Sequence, residues 1–340
     1  MHHKNYPLKD LNSFALDVSA KELIFAETIE QVKIFAQNLP EQFYILGGGS
    51  NSLFIENYLG TIFCPDLRGI DVRDDENNFY LHVASGENWH ELVKYCLTSN
   101  MPGLENLALI PGNCGAAPIQ NIGAYGVEFA NVCDYVDWFD FQSLKTIRMS
   151  AEHCQFSYRD SIFKGALKNK GVVVAVGIKL SKTWVPTLKY QGLNELGENP
   201  TPKQVFDTVI AIRESKLPDP KRIPNAGSFF KNPIVNHQTF AAIKAQYPNF
   251  PAYPANGTDM KLAAGWLIQE SQLKGVAIGG AAVHTLQALV LINNNNATGK
   301  NVIELARHVQ KTVKQIFNVD LEPEVRLISA QGEQLIEDIN

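Results

Sequence analysis

Three stretches of this chain hold residue types that could do chemistry. The first, Gly47-Gly48-Gly49-Ser50-Asn51-Ser52, joins two apolar runs, Phe43–Leu46 and Leu53–Ile55. Glycines let backbone N–H groups close on a phosphate, so this is either a tight turn between strands or a pyrophosphate cradle. It is not a Gly-x-Gly-x-x-Gly dinucleotide fingerprint, because Ser52 stands where the third glycine belongs and a strand follows. Nor does a Gly-Lys-Ser/Thr close it as a Walker loop. The second stretch, Ile110 to Gly126, holds four glycines, two prolines and three alanines, leaving little bulk for a core. With Ile110, Ile119 and Ile122 to pack it down, it reads as a functional loop whose backbone a large flat ligand can approach.

The third stretch, Arg213 to Lys231, sets five basic residues against two acidic ones, a local charge of +3 in a chain whose net charge is −5. It is either a solvated loop or a site for phosphate or carboxylate. Inside it, Asn225–Pro233 presents Ser228 beside paired phenylalanines. The absence of Gly-x-Ser-x-Gly disfavours an acyl-transfer serine, and a turn-forming serine is the alternative. No metal site is expected: His90-Glu91-Leu92-Val93-Lys94 has Lys94 where a zincin needs its second histidine. His82, His153, His284 and His308 share no ligand spacing. Glu322-Pro323-Glu324-Val325-Arg326 reads, on its residues alone, as a solvated strand edge.

These stretches need elements to position them. Leu23–Phe25 reads as a strand, and Thr28-Ile29-Glu30-Gln31 as a capping box opening a helix with Ile29, Val32, Phe35 and Ala36 inward. Phe79, Leu81 and Val83 alternate as in a half-buried strand. Trp89, Leu92, Val93, Cys96 and Leu97 make an amphipathic helix, and Leu107 to Gly126 reads as extended loop. Val172–Leu180 is β-branched enough for an interior strand. Thr201-Pro202-Lys203-Gln204 is a second capping box, its helix carrying Val205, Val209 and Ile212 inward. Pro218, Pro220 and Pro224 then mark a domain boundary. Helices near 237–247 and 261–272, a strand at 288–292 and a last helix with Val302, Leu305, Ala306, Val309, Val313 and Ile316 buried complete the chain. Without regular β-α alternation, α+β is the expected class.

At 340 residues the chain is long enough for two or three domains, and 45% hydrophobic with 19% charged residues marks it as globular. The acidic balance argues against nucleic-acid binding. Five scattered cysteines without a CxxC indicate neither disulfides nor structural zinc, as in a reducing cytoplasm. No signal peptide is seen at the start, and Val276–Ile292 is interrupted by His284, Thr285 and Gln287, so no membrane span is expected.

Taken together, Asn12-Ser13-Phe14, Gly47–Asn51, Pro111–Gly126, Tyr158-Arg159-Asp160, Gly227–Pro233 and Leu321–Arg326 closely resemble the UDP-N-acetylenolpyruvoylglucosamine reductase family, in the same order along nearly the whole chain. The resemblance implies a vanillyl-alcohol-oxidase/PCMH-type FAD-binding domain of two α+β subdomains plus an α+β substrate-binding domain. Residues 1–65 would form the first subdomain, with 325–340 returning to it, residues 66–215 the second, and 216–324 the substrate domain. Gly47, Gly48, Gly49, Ser50 and Asn51 would hold the FAD pyrophosphate. Pro111, Gly112, Gly115, Ala116, Ile119, Ile122, Gly123 and Ala124 would line the cofactor. Tyr190, in Leu188–Leu193, matches the tyrosine-bearing loop of the type I subgroup, which folds over bound nucleotide sugar. The 184–201 insertion and Gly265-Trp266-Leu267-Ile268 point to that subgroup too.

The family's chemistry would fall to Arg159, Ser228 and Glu324. NADPH would give a hydride to the flavin and leave, and UDP-N-acetylglucosamine enolpyruvate would then enter the same cleft. Hydride reaches the vinyl carbon, Arg159 and a protonated Glu324 stabilise the enolate-like anion, and Ser228 supplies the proton, yielding UDP-N-acetylmuramate for peptidoglycan. Lys216 and Asn232 would hold the substrate carboxylate. Tyr125, Tyr190, Tyr253, Lys261 and Lys274 would complete the substrate site. The implied protein is a cytoplasmic monomer without nucleic-acid or membrane partners. Two departures stand out: Asn113 replaces a small residue, and Gln191 separates Tyr190 from Gly192. An oxidase of the same fold is the rival, disfavoured because it has no use for an acid beside a vinyl carbon. A non-catalytic nucleotide-sugar-binding protein is the other, disfavoured by the intact trio.

Overall fold

The structure, a computed structural model, describes residues 1–255 and 257–339. The chain forms two compact units: Met1–Lys4, Glu22–Gly48 and Gly60–Ser215 make the first, and Asn5–Lys21, Gly49–Leu59 and Lys216–Asn340 the second. Residues 5–21 and 49–59 thus group with the C-terminal part rather than with their sequence neighbours.

In the first unit an antiparallel sheet runs in the order Lys145–Ser150, Cys133–Asp140, Gly171–Ser181, Asn78–Ala84, Ile70–Asp74. Its central strand is the β-branched run, buried on both faces. Asp137 pairs with Ala175 but Trp138 with Val173, so the register skips Val174. The bulge resets the alternation. Val172 and Val174 join Phe35, Phe63, Phe139 and Phe141 in one cluster, while Val173, Val176, Ile178 and Leu180 join another.

The first cluster takes helix α1 (Ile29–Gln37), through Val32, Phe35 and Ala36. Ile29 is exposed, contrary to expectation, because the packed cluster reaches the helix only from its second turn. The Thr28 box is also shifted: Thr28 Oγ1 accepts from the Gln31 N–H at 3.2 Å, but Gln31 Oε1 accepts from Glu27, at 2.6 Å. The second cluster takes α2 (Trp89–Thr98) and α3 (Pro202–Lys216). The Thr201 box closes as expected, with Gln204 N–H on Thr201 Oγ1 at 3.2 Å and Thr201 N–H on Gln204 Oε1 at 2.7 Å. Residues 107–126 are not one extended loop. They contain a 3-10 turn at Cys114–Ala116 and a small hairpin of Gly123–Ala124 with Val127–Glu128.

Among the described residues the second unit holds three small sheets. One runs Asn225–Ser228, Val290–Asn293, Ala281–Val283, Ala277–Ile278; one runs Ile234–Val235, Met260–Leu262, Ala252–Pro254; one runs Gly332–Gln334, Arg326–Ser329, Ser52–Phe54. Helices α4 (His237–Gln246), α5 (Ala264–Glu270) and α6 (Gly299–Phe317) surround one apolar core. The helix expected over 261–272 begins later. Lys261 is paired in a strand with Tyr253 and Ile234, and Asn232 Oδ1 caps α5 by accepting from Ala264 N–H at 2.9 Å. In α6 the expected stripe is buried except for Ile316. Phe317 continues the i+4 row Leu305, Val309, Val313 instead, and packs on Tyr247 and Trp266.

Candidate active site

In the first unit the strand Phe43–Ile45 runs parallel to Thr61–Phe63 and delivers Gly47 and Gly48 at its carboxyl end. There the glycine loop meets the small-residue stretch backbone to backbone. A Cβ on Gly48 would lie 2.8 Å from Gly112 Cα, and one on Gly47 would lie 3.2 Å from Ala116 Cβ. The second loop is itself fastened: Gly112 O accepts from Trp89 N–H at 3.0 Å, Cys114 N–H donates to Glu87 O at 2.8 Å, and Gly115 N–H donates to Ser85 O at 2.9 Å. Gly48 and Pro111 are exposed, Gly112, Gly115, Ala116, Ile119, Gly123 and Ala124 half-buried, and Ile122 buried. Small residues let the two backbones approach closely here, and such a backbone-rich surface fits a pyrophosphate and a flat ring system, as FAD requires.

Arg159, with a left-handed backbone (φ 55°), donates from Nη2 to Gly123 O at 2.8 Å. The turn that carries it is held by buried Asn121, which donates to Ser157 O at 3.1 Å and Glu128 Oε2 at 2.7 Å and accepts from Ala130 N–H at 2.9 Å. A guanidinium therefore sits at the edge of the hairpin formed by Gly123–Ala124 and Val127–Glu128, suited to a carboxylate.

Tyr125 and Tyr190 come together, rings edge to face with centroids 4.7 Å apart. Beside them is Arg213, which the sequence reading places in the basic patch. It is instead turned inward, donating to Leu109 O at 3.1 Å and bonding the Tyr125 hydroxyl. Burial pulls its guanidinium below the ordinary value, against the pull of Tyr125, and burial raises the Tyr125 phenol. Asn106 Nδ2 donates at 2.9 Å to both Tyr125 O and Thr187 O, tying the 184–196 segment to the hairpin. Trp184 Nε1 reaches Glu105 Oε2 at 3.3 Å. Burial pushes the Glu105 carboxyl up, opposed by the Gly103 N–H and Trp184.

In the second unit Gly49 is left-handed (φ 64°), and any Cβ there would overlap Leu11 O. Half-buried Ser50 follows it. Ser228 ends the strand Asn225–Ser228, opposite Val290. Buried Asn225 fixes that strand: Nδ2 donates to Pro218 O at 3.1 Å and Ile223 O at 2.7 Å, Oδ1 accepts from Gly227 N–H at 2.7 Å, and its own N–H donates to Ser13 O at 2.9 Å. Glu324 is brought alongside, its N–H donating to Phe229 O at 2.8 Å, with Lys231 N–H on Glu322 O at 2.9 Å. A serine hydroxyl and a half-buried carboxyl are thus carried on hydrogen-bonded neighbouring backbones.

Tyr253 faces Lys261 across a strand pair. Lys216 and Lys274 are exposed, while Asn232 has its side-chain oxygen on α5. Asn121, Asn225 and Arg213 are the residues that sequence reasoning missed as organisers. The two asparagines lay inside motifs already singled out, with no pattern to separate a hub from a turn former. No group of metal-ligating residues exists among the described residues, nor a helix long and apolar enough to cross a membrane. Burial pushes the thiols of Cys64, Cys96 and Cys154 up to about 12 and also raises those of Cys114 and Cys133, so none is a ready nucleophile.

A model described as the C-terminal domain of UDP-N-acetylenolpyruvoylglucosamine reductase matches residues 219–328, and one described as an FAD binding domain matches residues 22–143. The reductase of Shigella sonnei is 51% identical over 333 residues, covering 97% of both chains. That of Salmonella typhimurium is 52% identical over 334 residues, covering 96% of this chain and 97% of its own. The crystal structure of the Thermus caldophilus enzyme has the same fold, with a TM-score of 0.68 at 23% identity over 96% of this chain and 98% of that one.

Proposed function

As the chain belongs to the UDP-N-acetylenolpyruvoylglucosamine reductase family, whose members are FAD-dependent oxidoreductases, we propose that it reduces UDP-N-acetylglucosamine enolpyruvate to UDP-N-acetylmuramate with NADPH as donor. The observation that carries the reading is the Ser228 strand hydrogen-bonded to the Glu324 segment through Phe229 O, at 2.8 Å. It sets a proton source and a carboxyl on adjacent backbone, as protonation of a carbanion-like carbon requires. Bound FAD supplies the hydride that passes from NADPH to the vinyl carbon.

Gly47, Gly48, Gly49, Ser50 and Asn51, with Pro111, Gly112, Gly115, Ala116, Ile119, Ile122, Gly123 and Ala124, hold the cofactor. Arg159 binds the substrate carboxylate on which negative charge develops, and Glu324, protonated, donates a hydrogen bond to the same group. Ser228 gives its proton to the carbon bearing the ether oxygen. A hydroxyl is a weak acid, but the anion it faces is basic enough when the two are aligned. Lys216 and Asn232 hold the carboxylate end, and Tyr125, Tyr190, Tyr253, Lys261 and Lys274 the nucleotide sugar. The protein acts as a cytoplasmic monomer in peptidoglycan precursor synthesis, without membrane or nucleic acid.

The test is an anaerobic spectrum through one cycle. NADPH should bleach the flavin band, and the enolpyruvyl sugar should restore it as UDP-N-acetylmuramate forms. Ser228→Ala should keep the bleaching and lose the recovery. Recovery with oxygen alone would replace this reading by an oxidase.

A further inference from the structure

Glu324 follows a proline and precedes the strand Arg326–Ser329, yet its backbone N–H and C=O are both taken. Its N–H goes to Phe229 O at 2.8 Å, and its C=O accepts from the Asn51 side chain, Nδ2 to O at 3.2 Å. Asn51 grips the same segment a second time, its own C=O accepting from Arg326 N–H at 3.0 Å. Ser52–Phe54 then runs parallel to Arg326–Ile328, residue for residue. The Glu324 peptide is therefore suspended between the serine-bearing strand and the last residue of the glycine loop.

We infer that the Asn51 side chain is a positioning residue for Glu324: its backbone belongs to the cofactor loop, while its amide fixes the backbone from which the Glu324 carboxyl projects. The inference rests on the reading above, in which Glu324 serves only the step that follows hydride delivery. A side chain that sets Glu324 and not the cofactor should affect the two half-reactions unequally.

The experiment compares wild type, Asn51→Ala and Asn51→Asp as the FAD-loaded full chain. Flavin affinity is read by fluorescence, both half-reactions by anaerobic stopped flow from pH 6 to 9, and hydrogen exchange over residues 322–327 by mass spectrometry. Asn51→Ala, loaded at saturating FAD because the residue belongs to the cofactor loop, should slow hydride acceptance from NADPH far less than the step that follows it. It should slow reoxidation by the enolpyruvyl sugar roughly 10-fold, the scale of one lost hydrogen bond to a group that must be aligned. The pH profile of that step should shift, and exchange at 322–327 should rise. Asn51→Asp, which puts an anionic acceptor against a carbonyl, should be slower still. Equal slowing of both half-reactions in FAD-saturated protein would leave Asn51 a cofactor-loop or fold element alone and overturn the inference. Unchanged reoxidation would overturn it too. If neither variant folds, Asn51 is a fold element and the inference fails. Should wild type itself fail to be reoxidised by the sugar, the functional reading falls first and takes this inference with it.

Discussion

Gly48→Ala tests whether the glycine loop and the 111–116 loop form one cradle. The new Cβ would lie 2.8 Å from Gly112 Cα, 3.1 Å from Asn113 Oδ1 and 3.3 Å from Gly112 C, whereas ordinary contact begins at 3.4 Å. The obstacle is backbone, and Gly112 is held by Trp89 N–H at 3.0 Å, so no side chain can swing aside. The loops must part by about 0.6 Å at that point. Gly48 is exposed, so most of the strain is relieved by that displacement rather than stored, and the loss in stability should stay near the ~1 kcal/mol low end of overpacking. Ligand binding is less forgiving. Losing one backbone hydrogen bond to a charged phosphate amounts to about 1.5–3 kcal/mol, or roughly 10- to 150-fold in Kd. The assay is titration of apoprotein with FAD by flavin fluorescence, alongside thermal unfolding of apoprotein. Gly165→Ala is the control, since its Cβ would meet only Ile162 O, at 3.9 Å. If Gly48→Ala binds FAD as tightly as the control, the two loops do not jointly hold the cofactor.

Other expectations follow from single groups. The Ser85 hydroxyl is buried with no hydrogen-bond partner among the described residues, so Ser85→Ala should leave thermal stability unchanged or raise it by up to about 1 kcal/mol. Arg213→Met should raise the KM for the enolpyruvyl sugar several-fold while sparing flavin reduction by NADPH. Arg213→Lys should not rescue it, because one ammonium cannot reproduce the fork that spans Leu109 O and Tyr125. Glu105 has its folded pKa raised, chiefly by burial. The folded state then holds a proton that the unfolded chain has released, so its contribution is present below the unfolded pKa and is lost as pH rises through the folded one. Denaturant titrations should show the wild-type minus Glu105→Gln difference falling with pH across that acidic window; a flat difference would refute it.

The periodic signals were legible because they depend only on neighbours in the chain. The stripe Trp89, Leu92, Val93, Cys96, the alternation at Leu81 and Val83, and the β-branched run at Val172–Leu180 each buried the expected residues. Both threonine caps formed as well, though Gln31 reached Glu27 rather than Thr28. Ile29 and Ile316 failed because periodicity tells which face is apolar, not where along a helix the partner surface begins and ends. The start of α5 was misread because its cap, Asn232, lies 32 residues away.

By itself the sequence determined the α+β class, the order of the motifs and, through its resemblance to a family, the chemistry to look for. The tertiary structure alone decided which small residues face one another, that Arg213 leaves the basic patch to bond Tyr125, and that Asn51 is joined to Glu324 across 273 positions. The physical reason is the range of the forces involved. Local propensity and amphipathic spacing are written within a few residues, whereas a hydrogen bond between groups distant in the chain exists only once the core has brought them within about 3 Å.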